Sequence, residues 1–147
     1  MGSDKKFQYS VIGDAVNQAD RFEPVNNYYG TDIAIGETTY DKAKHFIEAR
    51  LLDRIVVQGK TQPVRLYELL ARKGALTAAK SKLIHFYEES LRLHWERKWD
   101  ETMAAVDAAL ALDSQDGPTI RLRQRIVAYI EMPPPDNWMG EYIASKD

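Results

Sequence analysis

The chain has 147 residues, with 20 Lys and Arg against 22 Asp and Glu, 44% apolar and 29% charged residues, and no cysteine. That composition belongs to a globular protein of one ordinary domain or two small ones, and its near balance of charge excludes a sequence-independent nucleic-acid binder, which needs a basic excess. The missing cysteine excludes disulfides, a thiol nucleophile and thiolate metal sites, while the lack of any bilayer-length apolar run or signal-type start predicts no membrane span and a cytoplasmic location.

In chain order, Phe7 to Ile12 reads as a strand running into a turn at Gly13. Asp14 is placed to cap a helix from Ala15 to about Asn26, which Pro24 should end or kink near Arg21 and Phe22. Asp32 to Ile35 is a short strand, and Thr38 or Thr39 is expected to cap a helix through Ile47 with Tyr40, Ala43 and Ile47 on one face. Leu51 to Val57 and Val64 to Leu70 are β-rich runs around a turn from Gln58 to Pro63, the signature of a hairpin. Near Arg72 to Ala75 the texture changes to Ala, Leu, Glu and Arg at helical spacing. Lys80 to Arg97 carries Leu83, Phe86, Tyr87, Leu91 and His94 near one stripe. Asp100 should cap a second helix, and Gly117-Pro118 opens a third that Pro133 to Pro135 stops. Trp138 and Tyr142 suggest a tail that docks on the rest.

The division that follows is 1–73, mixed α and β, and 74–147, about three helices plus a tail. Asn17 and Arg21 lie four apart on the expected helix and so share a face. An amide beside a guanidinium suits an oxyanion with a neighbouring hydroxyl, and Lys60, in the hairpin turn, is a mobile point charge suited to phosphate. A P-loop is excluded, because Arg54 stands where Gly59-Lys60-Thr61 would need an upstream glycine. His45, His85 and His94 lack metal-ligand spacing and are read as surface or half-buried structural residues. Trp95 and Trp99 are expected to pack at a helix junction. Arg50, Asp53 and Arg54 are read as strand-edge ion pairing, and Arg121, Arg123 and Arg125 as spread around a helix surface.

Three ordered blocks carry a family resemblance. They are Gly13-Asp14-Ala15-Val16-Asn17-Gln18-Ala19-Asp20-Arg21, then Tyr29-Gly30-Thr31, then the run from Leu52-Asp53 through Gly59-Lys60 and Pro63-Val64 to Tyr67-Glu68-Leu69. Together they resemble the C-terminal part of the catalytic domain of class III adenylyl and guanylyl cyclases of bacterial type. The resemblance covers roughly residues 1–71, and Met1-Gly2-Ser3 is similar to a segment just upstream in bacterial members. It implies an α+β fold, a partial ferredoxin-like cyclase sheet with helices, here followed by an all-α segment.

The resemblance also implies a reaction, attack of a ribose 3′-hydroxyl on the α-phosphorus of a nucleoside triphosphate with loss of pyrophosphate. By family match Asn17 orients the ribose, Arg21 stabilises the α-phosphate charge, Lys60 binds the terminal phosphates and Ser10 reads the purine. A serine there leans towards ATP over GTP. The two Mg or Mn ions of the family, and the Lys that partners the purine reader, belong to positions that this sequence does not match. Asp14, Asp20, Asp32 and Asp53 fall elsewhere. Because family sites form between two catalytic domains, the chain is expected to offer a half-site, to be inactive alone, and to form a homodimer or strand-exchanged oligomer through unpaired sheet edge. A non-catalytic dimerisation or regulatory module is the rival reading, and guanylyl specificity a weaker alternative. The helical half resembles one tetratricopeptide-type helix pair through Phe86, Trp99, Val106 and Ala109, departs from it at Glu89, Ser90, Arg97, Thr102 and Ser114, and is expected to pack on the cyclase-like half or on another copy.

Overall fold

A computed structural model describes residues 2–18, 22–56 and 62–143. Helix α1 spans Gly2–Gln18, α2 Glu23–Tyr29 and α3 Glu37–Ala43, with strand β1 (Ala34–Gly36) between the last two. Strands β2 (Ile47–Val56) and β3 (Val64–Arg72) follow, then α4 (Ala78–Trp95), α5 (Trp99–Leu112), α6 (Gly117–Glu131) and the two-residue strand β4 (Tyr142–Ile143). The fold is α+β, as the sequence predicts.

The sheet order is β1-β3-β2-β4. The hairpin β2–β3 is antiparallel, β1 adds antiparallel to β3, and β4 lies parallel to β2 with Ile55 opposite Tyr142. Alternation along β1 sends Ala34 and Ile35 to opposite faces. Ile35 and Ile47 pack with Ala15 of α1 and Ala43 of α3. On the other face Ala34 and Leu52 pack with Tyr29 of α2. The helical half has its own apolar core of Tyr87, Leu91, Val106, Leu122 and Ile126, against which Leu51 of the sheet also packs.

Two irregularities interrupt the β2–β3 register, one of them between Leu51 and Asp53. A bulge re-aims side chains, and here consecutive Leu52 and Asp53 are both fully buried. Strict alternation would have sent one of them to the opposite face.

The structure changes several expected elements. Phe7 to Ile12 is helical, not a strand, and Gly13 and Asp14 lie inside α1, so neither is a turn residue or a cap. A strand needs a partner for its backbone groups, whereas a helix satisfies them within its own segment; among the described residues no strand pairs with this run. Pro24 opens α2 within its first turn, where its missing N–H costs nothing. The cap of α3 is Gly36, and the helix ends at Ala43 so that Ile47 begins β2. Lys98, not Asp100, caps α5, with Asp100 in the first turn facing the positive end of the helix dipole. Thr77 caps α4 by accepting from the Lys80 amide, and Asp116 caps α6 by accepting from Thr119.

The tail does dock. Arg97 donates to the carbonyl oxygens of Pro134 and Pro135, Arg54 to that of Met139, and the Tyr142 ring stacks on Tyr28 at 4.8 Å. Gly140, with φ +86°, lies against Trp95 so closely that a Cβ would overlap the indole.

Candidate functional site

The four residues singled out by resemblance fall in the first half. Ser10 is exposed on α1, and Asn17 lies in the last turn of the same helix. The Asn17 side chain, Arg21 and Lys60 lie outside the described residues, as does most of the expected turn from Gln58 to Pro63. Ser10 therefore sits on a helix, where the residue pattern from Phe7 to Ile12 predicts a strand.

Immediately after the Asn17–Arg21 segment, α2 enters a buried polar knot. Tyr29 Oη donates to Asp53, and the Arg125 guanidinium of α6 binds the same carboxylate. Asp53 is fully buried, so its charge needs both partners. Burial first, and the Asp53 charge second, push the Tyr29 hydroxyl well above the ordinary tyrosine range. Arg121 of α6 donates its Nε to the Tyr28 carbonyl at 2.7 Å and covers the Tyr28 ring at 4.7 Å. Gly117, the first residue of α6, lies against the Tyr29–Gly30 backbone with no room for a side chain.

A second knot lies alongside. Arg50 of β2 is 1% exposed and donates through Nη1 and Nη2 to Asp116 at 2.8 and 2.9 Å, and to Glu68, its cross-strand partner, at 2.6 Å. Burial opposes the guanidinium's charge, but the two carboxylates outweigh it and hold the group firmly protonated. Burial also pushes the Asp116 carboxyl up, yet hydrogen bonds from Arg50 and Thr119 hold it below the usual carboxylate range. Nearby, Tyr87 donates to the Leu52 carbonyl and Glu88 accepts from the Leu51 amide. The helical half is thus bonded into the sheet through charged groups and backbone alike.

These contacts correct two readings. Arg50 and Asp53 are core ion pairs with partners from α6 and its cap, not strand-edge pairs with each other. Arg125 is not a surface residue but the cation beneath Tyr29, whereas Arg123 meets Asp107 at the surface. His94 is likewise fully buried, ringed by Trp99, Tyr129 and Trp138 at 5.7, 5.7 and 5.1 Å. Arg125 Nη2 lies 3.1 Å from its Nε2, and its Nδ1 has no hydrogen-bond partner among the described residues. Burial, then the Arg125 charge, drive its pKa down to about 3. The imidazole is neutral, its Nε2 accepting from Arg125, which leaves the proton on Nδ1.

A cleft of about 320 Å³ opens between α1 and the ends of β2 and β3. Lys5, Gln8, Tyr9 and Ile12 line it at helical spacing from one side, and His45, Phe46, Arg72 and Lys73 from the other. Its charged side chains are all basic, with Arg72 over the Tyr9 ring at 4.8 Å and Lys73 near Glu48 at 3.9 Å. Among the described residues no three His, Asp or Glu side chains group as a metal site. The buried carboxylates of Asp53 and Asp116 are already bound to arginines, so these residues do not fit the two divalent ions that the resemblance implies. No described helix is long and apolar enough to cross a membrane.

Known proteins give the relationship. Over 135 aligned residues, 89% of this chain, it is 25% identical to the "Adenylate cyclase, terminal-differentiation specific" of Dictyostelium discoideum. It is 29% identical over 70 residues to "Adenylate cyclase 1" of Rhizobium meliloti (strain 1021), and 35% identical over 74 residues to "Adenylate cyclase" of Anabaena cylindrica, each match covering 48% of the chain. This chain is related in sequence to adenylate cyclases. It spans only 6%, 10% and 15% of the length of these three relatives. The Dictyostelium match is too long to lie in the sheet half alone and takes in much of the helical half. No protein-family profile matches the chain, and no solved structure does.

Nothing in the residue order announced the two buried knots, because Arg50 and Asp116 are 66 positions apart and Asp53 and Arg125 are 72. The local signal was a pair of charges, Asp53 and Arg54, inside the otherwise apolar run Leu51–Val57.

Proposed function

We propose that this chain is part of a class III nucleotidyl cyclase, the C-terminal portion of a catalytic domain (residues 1–73) with a helical extension (74–147), whose parent converts ATP to cyclic AMP and pyrophosphate. The similarity to three adenylate cyclases, on top of the ordered blocks from Gly13 to Leu69, supports this reading and favours ATP over GTP. The chain contributes the transition-state half of a nucleotide site. In the reaction the O3′–Pα bond forms, the bond from Pα to the bridging oxygen of pyrophosphate breaks, and the 3′-hydroxyl proton is lost. Asn17 holds the ribose so that the 3′-oxygen lies in line with the phosphorus. Arg21 meets the charge that grows on the α-phosphate oxygens, a bidentate donor set suited to that geometry. Lys60 holds the terminal phosphates, and Ser10, exposed on α1, reads the purine. The metal-holding residues come from another segment, so this chain alone is inactive.

The experiment is complementation. The purified chain is mixed with a full-length relative whose own Asn–Arg pair has been mutated, and cyclic AMP is measured. Rescue that disappears with Arg21→Ala is the expected result. Demonstrated association without rescue would instead favour a non-catalytic dimerisation module, a reading favoured by the open outer edge of β1, which among the described residues pairs only with β3. Cyclic AMP formed by the purified chain alone with magnesium or manganese would overturn the half-site assignment.

A further inference from the structure

The cleft between α1 and the open end of the β2–β3 hairpin has no part in the function proposed above. Lys5, Tyr9 and Ile12 of α1 line it from one side, and Phe46, Arg72 and Lys73 from the other. Residues 5, 9 and 12 share one face of the helix, while Ser10, about 100° on from Tyr9, belongs to another side of α1. Ile12 and Phe46 pack onto the core of Ala15, Ile35 and Ile47, so the apolar wall of the cleft is anchored. The Tyr9 ring beside them is 52% exposed, a large ring left open on a helix that is otherwise docked.

Apolar packing does not account for the charges. In a chain of net charge −2, Lys5, Arg72 and Lys73 line a space of about 320 Å³ with no acidic side chain among its lining residues. Neither Lys5 nor Arg72 has a carboxylate partner among the described residues. Arg72 lies over the Tyr9 ring at 4.8 Å, which restrains the guanidinium and leaves its N–H donors to spare. Lys73 comes within 3.9 Å of Glu48, a long and exposed contact, and the other Glu48 oxygen accepts from the Gly74 amide at 2.8 Å. Like charges gathered in a concave space repel one another and attract an anion.

We propose that this cleft binds a small organic phosphate, its phosphate held by Lys5, Arg72 and Lys73 and its apolar portion laid against Tyr9, Ile12 and Phe46. The volume stands at the lower end of the range of about 300–1,000 Å³ usual for ligand pockets, and an apolar wall with a few convergent charged groups is their usual composition. A restrained guanidinium beside two mobile ammoniums offers donors to all the free oxygens of a phosphate monoester at once, which a carboxylate could not use.

The test is titration of the full chain with phenyl phosphate, followed by amide chemical shifts. Expected are saturable shifts confined to residues 5–12, 45–46 and 72–74, a Kd of about 1 mM or below, and several-fold weaker binding of inorganic phosphate at the same amides. Arg72→Gln should weaken phenyl phosphate roughly tenfold, and Lys5→Gln about threefold. Lys5 is exposed and unpaired among the described residues, so its replacement reads binding without disturbing the fold. No saturable shift up to about 10 mM phenyl phosphate, equal affinity for sulfate, or full affinity in Lys5→Gln and Arg72→Gln would each overturn the proposal. Binding to phosphatidylglycerol vesicles without binding of phenyl phosphate would overturn it too, and would make this face a membrane-surface contact.

Discussion

Asp53 is the residue on which the two halves converge. Removing one member of a buried ion pair leaves the other charge without compensation, at a cost of about 3–5 kcal/mol. Asp53→Asn should lose stability of that order in urea titration, and Asp53→Asn with Arg125→Met should regain a good part of it. Full stability in the single variant would show that the pair contributes nothing. His94 yields a pH dependence whose sign is fixed. Its folded pKa is about 3 and its ordinary value 6.5, so below 6.5 the unfolded chain binds a proton that the folded chain refuses. Stability from this group is complete above that value and falls as pH is lowered, by at most about 1.4 kcal/mol per pH unit. The urea midpoint should drop between pH 7.5 and pH 5, and His94→Phe, which suits the surrounding rings, should flatten that drop. Helical spacing puts His94 near the stripe of Leu83 and Leu91, but it does not separate the full burial found here from the surface or half-buried place expected for it. Nothing local marked Arg125 as its neighbour, because that contact exists only once α4 and α6 have packed.

At the level of elements, the sequence was most legible where one period ran long enough to dominate. The helices α4, α5 and α6 and the β2–β3 hairpin appear within a few residues of where spacing and punctuation put them. Helix α1 does not, because Tyr9 to Ile12 has the β-branched, alternating texture of a strand while the partner that would hold it as one is not among the described strands. Of Ser10, Asn17, Arg21 and Lys60, only their order in the motif was legible. Strand β4 is too short to have a sequence signature, and its place beside Ile55 depends on the tail threading past Trp95 at Gly140. With φ +86° and the indole against it, Gly140 tolerates no side chain. Gly140→Ala should therefore release the tail: limited proteolysis should cut between Met132 and Gly140 several-fold faster, while α4–α6 stay protected. Unchanged cleavage would mean that the tail is held without this contact.

For the molecule as a whole, the buried pairs Arg50–Asp116 and Asp53–Arg125 make the two halves interdependent. A chain ending at Lys73 would leave Arg50 with one carboxylate and Asp53 with no guanidinium, and would uncover Leu51 where it packs on the helical core. It should give a collapsed or aggregated product without a cooperative melt, and a sharp melt from that fragment would show that the sheet half stands alone. We propose that the outer edge of β1, open among the described residues, pairs between copies, and light scattering of the full chain at micromolar concentration should then find more than a monomer. The docked tail has one practical consequence. All three tryptophans of the chain report on this end of the molecule, Trp95 lying against Gly140 of the tail and Trp99 and Trp138 against His94. Intrinsic emission is consequently a local gauge: its colour and intensity will track detachment of the C-terminal strap and protonation of the neighbouring imidazole, and will stay nearly blind to whatever happens around Ser10 and Asn17.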